Sequence, residues 1–535
     1  MLFTSYYFIF VFLPLVWLGY QGLARVSRRV GFAWLVVASL VFYGWWDVRF
    51  VLLLLASVTG NFLAGEAIRR SLGRPERTRL VLTAAISANL AALGYYKYFL
   101  AVAGFLIGHG INVPHPDHIT LPLGISFFTF TQIAYLVDVA KGRSVERDPL
   151  AYGLFVTFFP HLIAGPILHH AEMMPQFTRP RQRVFSGTDL AVGISLFVLG
   201  LAKKIIIADP MSDIVASGFG HSGSVQFFAA WETALSYSIQ LYFDFSGYSD
   251  MAIGLARMFG IRFPLNFNSP YKAASIQEYW RRWHMTLTRY LMEYLFDPMA
   301  LSLMRRFATR RRRQGGRMTA ADRRIGIVYV PAIATMLTMT IAGVWHGAGF
   351  QFVIFGVLHG VYLSICHVWR TYRLGPQTPT KLTHIGNCLL TYLCVLVGAV
   401  FFRAASVPEA CRVLAGMIGT HGIEPILVPQ FMVSLFSPIT GILSGHGLIA
   451  AADAMTSGPI YLRLFRLVLI YVVIWLLPNT QQIMGLYRPA LGWRSTLGET
   501  RLRFHMTPRW GFAIGVVASL SVLLAQRTEF IYFQF

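Results

Sequence analysis

The chain of 535 residues is 55% hydrophobic and only 13% charged, with a positive mean hydropathy. Soluble proteins carry about 25% charged residues, so composition excludes a water-soluble globular fold, and apolar stretches recur at the roughly 17–25 residues that cross a bilayer core. The net charge of +23 resides in short loops between those stretches, which is the pattern of the positive-inside rule and of phospholipid contact rather than nucleic-acid binding.

The first segment, "MLFTSYYFIFVFLPLVWLGYQGLARVSRR", places its positive charge after the apolar run and has no small-residue cleavage site. It reads as a retained first span rather than a secretory signal. Spans are expected near 3–20, 31–46, 50–66, 80–100 and 120–138. Their alternation puts Arg28–Arg29, Arg69–Arg79 and Lys141–Arg147 on the cytoplasmic side and the loop "HGINVPHPDH" (109–118) outside. That loop holds His109, His115, Asp117 and His118, but at no metal-ligand spacing.

The stretch "LAYGLFVTFFPHLIAGPILHH" (150–170) breaks the alternation, because basic residues flank it on both sides and Pro160 and Gly165–Pro166 interrupt its helix. A re-entrant segment buried by protein or lining a cavity satisfies both facts. Residues 283–304 repeat the problem between Arg281–Arg282 and Arg305–Arg306, and carry His284, Arg289, Glu293 and Asp297. Lys203–Lys204 sit awkwardly deep in the span 188–208. The run "RRFATRRRRQGGRMTAADRR" (305–324) reads as a cytoplasmic loop. Crossings near 326–344, 351–369, 384–402, 460–477 and 510–526 follow, with 404–458 read as an external loop. Cys366, Cys388, Cys394 and Cys411 show neither metal nor disulfide spacing.

Ionisable groups inside a membrane cost about 2.5–3.5 kcal/mol each on insertion scales and call for a functional hypothesis. Three clusters stand out: Asp244 and Asp250 in "QLYFDFSGYSDMAIGLARMFG", His284 in "QEYWRRWHMTLTRYL", and His346 in "IAGVWHGAGFQF", with His359 thirteen residues beyond. A lone histidine in an apolar span is more often structural than catalytic. Gly343, Gly347 and Gly349 shift that balance, since they allow a backbone or ligand to approach the ring closely. Without water the imidazole favours its neutral, proton-accepting form. His284 also has a structural reading, a hydrogen bond within its own turn. Asp244 and Asp250 read first as counter-charges for Arg257 or Arg282. No G-x-S-x-G elbow, H-E-x-x-H helix, P-loop or dinucleotide fingerprint is present.

Together "QEYWRRWHMTLTRYL" and "GVWHGAGFQFVIFGVLHG", with "LPLGISFFTFTQIAYLVDV" (121–139), "FFPHLIAGPI" (158–167) and "FIYFQF" (530–535), resemble the membrane-bound O-acyltransferases, nearest the polysaccharide-acetylating branch that includes the alginate O-acetylase membrane subunit. The resemblance implies an all-α polytopic membrane fold: about 11–12 transmembrane helices and two re-entrant segments around a thin core with a funnel. It implies one domain over 1–535, with N-terminal helices (1–140), a catalytic core (150–370), the external loop (404–458) and C-terminal helices (460–535).

By the same resemblance His346 of the W-H-G motif is catalytic and His284 of R-R-W-H is a second active-site residue. Trp345, Gly347, Asp244, Asp250, Arg281, Arg282, Trp283 and Asn268 are expected to support them. His346 would serve as general base, and His284 or a nearby donor would polarise the donor's carbonyl. No cofactor or metal is held permanently; acetyl-CoA is the implied acyl donor. An exported polysaccharide, or a periplasmic or membrane-anchored acetyltransferase partner, receives the group, and the bacterial inner membrane is the implied location. The stretch "MEYLFDPMALSLMRR" (292–306) departs from the branch's R-D-Y-L-Y-x-P-L-G-G run, and His161 replaces a glutamine; both point away from alginate as acceptor. D-alanyl or longer acyl transfer to another envelope polymer or lipid, and a polysaccharide or lipid transporter, are the alternatives.

Overall fold

The computed structural model of the chain describes residues 1–143, 147–178, 185–220, 223–313, 319–372, 380–423, 426–429, 449–452, 454–492 and 500–525. Seven described helices are long and apolar enough to cross a membrane: Tyr7–Val26, Arg49–Ser71, Pro75–Gly108, Gly187–Gly220, Gly326–His346, Phe350–Tyr372 and Lys381–Arg403. Each falls on an expected span. The rest of the expected eleven or twelve are Arg28–Gly44, Ile125–Ala140, Phe227–Met258, Ala454–Leu476 and Pro508–Leu523. Large apolar side chains such as Leu52, Leu63, Leu80 and Phe512 are exposed on these helices, a surface suited to lipid rather than water. The chain is an all-α polytopic membrane protein. A short parallel pairing of Ile426–Pro429 with Ile449–Ala452 is the strand structure among the described residues.

The 32-residue helix Phe227–Met258 runs through the middle of the molecule and is buried along most of its length. Its neighbour Gly187–Gly220 crosses it in backbone contact at two glycine pairs one heptad apart. A Cβ on Gly200 would come 2.5 Å from the Gly247 carbonyl oxygen, and one on Gly254 equally close to that of Gly193. Small residues in such register let membrane helices pack by van der Waals contact, without a hydrophobic drive.

This close crossing explains the awkward lysines. Lys204 Nζ lies 2.7 Å from Asp209 and 2.8 Å from Asp244, and Lys203 Nζ lies 2.6 Å from Asp250. Gln481 also donates to Asp250, at 2.8 Å. The expected partners Arg257 and Arg282 bind elsewhere, to Asp189 and Glu278. The correction has a simple cause: helix crossing sets ion-pair partners inside the bundle, and sequence proximity favoured Arg257. Asp244 and Asp250 are thus fastening groups and not part of the histidine cavity.

The 150–170 stretch breaks where its sequence says it should. Pro149–Thr157 and Phe159–Leu162 are two short helices, the longer about 14 Å at 1.5 Å per residue, well short of a bilayer core. Nearly every residue from Ala151 to His170 is buried in protein. The second expected re-entrant segment differs. From Met285 to Arg313 the chain is helical, through a π turn at Met292–Phe296. The irregular, buried part lies upstream, in a loop closed by backbone bonds from Met285 N–H to Asn266 O (2.8 Å) and from Asn268 N–H to Arg282 O (2.9 Å).

Within the expected loop 404–458, residues Val407–Met417 form a helix capped by Ser406, and another helix begins at Ala454. Residues 424–425, 430–448 and 453 of that loop, 314–318 of the arginine run, and the closing 530–535 lie outside the described residues.

Candidate active site

His284 closes the 266–284 loop and opens the helix Met285–Leu291. Its backbone sits in the left-handed region, φ +39° and ψ +55°, which costs a non-glycine residue about 1–3 kcal/mol and persists only where surroundings impose it. The imposing group is Asn266. Its Oδ1 accepts from His284 Nδ1 at 3.0 Å, from Thr286 Oγ1 at 2.9 Å and from Thr286 N–H at 3.4 Å, while its Nδ2 donates to Ser249 at 3.0 Å. The Thr286 hydroxyl also accepts from Ile167 N–H at 3.0 Å, so its own proton goes to Asn266. The broken 150–170 stretch therefore supports the histidine through Thr286 and Asn266.

This chain of donors fixes the tautomer. Asn266 presents an oxygen, so the neutral His284 carries its proton on Nδ1 and leaves Nε2 as a bare acceptor. Nε2 is fully buried and has no hydrogen-bond partner among the described residues. A buried, unsatisfied nitrogen on an otherwise fully bonded ring marks a place where something else binds.

His346 ends the helix Ala320–His346. The helix end is held from a second helix: Lys97 Nζ donates to the Trp345 carbonyl at 2.5 Å and Tyr98 OH to the Val344 carbonyl at 2.8 Å. A cation there satisfies carbonyls that the ended helix leaves open and opposes its negative end. Lys97 also lies 5.5 Å from the Trp345 ring centre, and Phe130 stacks on that ring at 5.0 Å. Of the two expected occupants, a backbone or a ligand, the glycines admit protein. A Cβ on Gly343 would meet the Phe352 carbonyl, one on Gly347 the Phe352 ring, and one on Gly349 the Gln351 side chain. They let the following helix Phe350–Tyr372 fold back tightly, and its Phe355, with Phe402 of the helix Lys381–Arg403, encloses the His346 ring edge-on at 5.9 and 4.8 Å.

His284, His346 and His359 line one small cavity of about 30 Å³ walled largely by aromatic rings. Trp280 separates it from a wider cleft of about 540 Å³ edged by Gln277, Arg281, His367 and Arg370. On its other side His346 also lines a cavity of about 80 Å³ with Trp46, Lys97, Ser126 and Trp345. Trp280 is shared by the cleft and the histidine cavity, and His346 by the histidine cavity and the third space, so the three adjoin one another through the histidines.

The supporting residues divide. Trp283 lines the histidine cavity and stacks on Tyr279 at 5.7 Å. Arg281 edges the wide cleft. Arg282 and Asn268 shape the loop, Arg282 through Glu278 at 2.5 Å and Asn268 through Asn479 at 3.0 Å. His161 is buried against the Phe155 carbonyl at 2.9 Å. The histidines of the 109–118 loop bond locally, His109 to the Phe105 carbonyl and His115 to that of Pro116.

Two residues escaped the sequence reading. Asn266 lies two positions before Asn268 in "LNFNSPY", and nothing local distinguishes the pair. Lys97 did leave a signal, a lone cation inside an apolar span. Asn266→Ala is expected to lower turnover about tenfold to a hundredfold, the effect typical of partners that fix a histidine tautomer. Combined with His284→Ala it should cost no more than His284→Ala alone; additive losses in this double-mutant cycle would show that the two residues act independently.

Comparison with known proteins gives a match to the membrane-bound O-acyltransferase family model over residues 125–311. The chain is 39% identical over 458 residues to a peptidoglycan O-acetyltransferase of Helicobacter pylori, covering 79% of this chain and 81% of that one. It is 36% identical over 423 residues to the probable alginate O-acetylase AlgI of Azotobacter vinelandii, covering 78% of each. A teichoic acid D-alanyltransferase of Bacillus subtilis is 28% identical over 265 residues, 48% of this chain and 62% of that one.

Proposed function

The chain belongs to the membrane-bound O-acyltransferase family and is an O-acyltransferase, and from that premise we propose that it moves an acetyl group from a cytosolic thioester to a hydroxyl of an exported or cell-wall polysaccharide at the bacterial inner membrane. The observation that carries this reading is His346, which borders both the central histidine cavity, joined through Trp280 to the arginine-edged cleft, and a further cavity taken as the outer side. An acceptor hydroxyl arriving from that outer side meets the ring without entering the cytosol. The donor enters from the wide cleft, where Arg281 and Arg370 suit the phosphates of acetyl-CoA.

A thioester is already activated, so two tasks remain: removing the acceptor's proton and stabilising the oxyanion. General-base catalysis by His346 supplies roughly 10²–10⁴-fold. The bare Nε2 of His284 accepts hydrogen bonds and does not donate them, so it does not suit polarisation of the donor's carbonyl.

Acetyl as the transferred group is supported by the two more similar relatives, both named for acetyl transfer; D-alanyl transfer, named for the third, is the second reading. Base-labile esters on envelope polymers separate the readings. Deleting the gene should remove ester-linked acetate from an exported or cell-wall polysaccharide and leave ester-linked D-alanine intact. Loss of D-alanine with acetate unchanged would replace the first reading by the second.

A further inference from the structure

The third histidine of the cavity has no role so far. His359 lies on the helix Phe350–Tyr372, is 1% exposed, and packs against Phe355 at 4.6 Å and Tyr279 at 6.4 Å. Trp280 Nε1–H donates to its Nδ1 at 3.2 Å. An indole N–H is a donor only, so Nδ1 supplies a lone pair and the neutral ring carries its proton on Nε2. His284 is held in the opposite state. One side chain, Asn266, makes Nε2 of His284 an acceptor; another, Trp280, makes Nε2 of His359 a donor.

The donating edge of His359 forms no hydrogen bond among the described residues. It lies against Gly398, where an added Cβ would come within 2.6 Å of Nε2. The ring borders the same cavity as His284 and His346. That N–H faces the helix that gives Val395, Ala399 and Phe402 to the cavity wall, and a donor there with its tautomer already set is what an oxyanion requires: one oriented before charge develops.

We propose that His359 is a further catalytic residue, whose Nε2–H, oriented by Trp280, stabilises the oxyanion formed on the acyl donor's carbonyl. The proposal rests on the acyl-transfer reading. In the step, the acceptor oxygen bonds to the carbonyl carbon and its proton passes to the His346 ring. The carbonyl π pair moves onto oxygen, which accepts the hydrogen bond from His359. When the carbonyl re-forms, the C–S bond breaks and the departing thiolate takes the proton from His346. Trp280, which separates the wide cleft from the cavity, is then a positioning residue for His359 as well as a wall of the donor path.

The test compares His359→Leu, His359→Gln and Trp280→Phe in purified full-length protein, with label transfer from acetyl-CoA and thermal midpoints for each. His359→Leu is expected to lower kcat about 10²–10³-fold, the loss typical of one oxyanion donor, with KM for the donor little changed. His359→Gln, which restores an N–H near the same place, should recover most of it. Trp280→Phe should lower kcat about tenfold through the freed tautomer. Equal loss in folded Leu and Gln variants would overturn the donor role, as would full activity of His359→Leu. If the Leu variant does not fold, an unchanged kcat in Trp280→Phe overturns it instead. Wild-type turnover with an inactive His346→Ala alongside keeps the enzyme reading standing when this proposal fails; a silent His346→Ala control is therefore run in every series.

Discussion

His346→Ala should lower acyl transfer about 10²–10⁴-fold, the contribution of a positioned general base, while the protein still folds and inserts. The ring stands at the end of a helix whose last carbonyls are held by Lys97 and Tyr98 through backbone atoms alone, so its removal leaves that anchoring in place. What it removes is the ring of the residue that lines both cavities. Alanine also opens space among Phe355, Phe402 and Trp345, so a moderate loss of stability is expected as well. His346→Gln separates the two effects. It fills much of the same volume and forms hydrogen bonds, but has no basic nitrogen, and it should be as inactive as alanine at near-normal stability. A glutamine variant with wild-type turnover would make His346 a structural histidine.

The largest stability effect is expected from Lys204. Its ammonium is 2.7 Å from Asp209 and 2.8 Å from Asp244, with side chains 7%, 10% and 1% exposed respectively. Lys204→Met leaves two buried carboxylates without their shared cation, and removing one member of a buried ion pair typically costs about 3–5 kcal/mol. The glycine crossing beside it cannot relax, because backbone already touches backbone at Gly200 and Gly247. The thermal midpoint in detergent should fall sharply, and Lys204→Met with Asp244→Leu should recover part of the loss by removing a stranded charge. A single variant as stable as wild type would show that this intramembrane cluster does not fasten the two helices.

Helix positions were legible in the sequence because a bilayer imposes one length on everything that crosses it. The breaks in 150–170 were legible because Pro160 and Gly165–Pro166 cannot continue a helix. What spacing could not supply was any contact made by helix crossing. Asp250 and Lys203 are 47 residues apart and Asn266 and His284 are 18 apart, beyond the three- or four-residue reach of helical spacing. The same blindness assigned Asp244 and Asp250 to Arg257 or Arg282, and chose Asn268 over Asn266. The glycines around His346 were read as sites where a backbone or a ligand comes close, and the approaching group is the next helix. The two histidine motifs were legible as a pair; only the fold shows that they share a cavity with a third ring in a complementary protonation state.

The central claim is transfer through the histidine cavity from one face to the other, and sidedness tests it most directly. The protein is reconstituted in vesicles with a soluble polysaccharide acceptor and any partner it requires sealed inside, and labelled acetyl-CoA is added outside. The account predicts ester-linked label on the enclosed acceptor for molecules whose basic loops face outward, and none for His346→Ala. Label appearing only when donor and acceptor share one side of the membrane would contradict it.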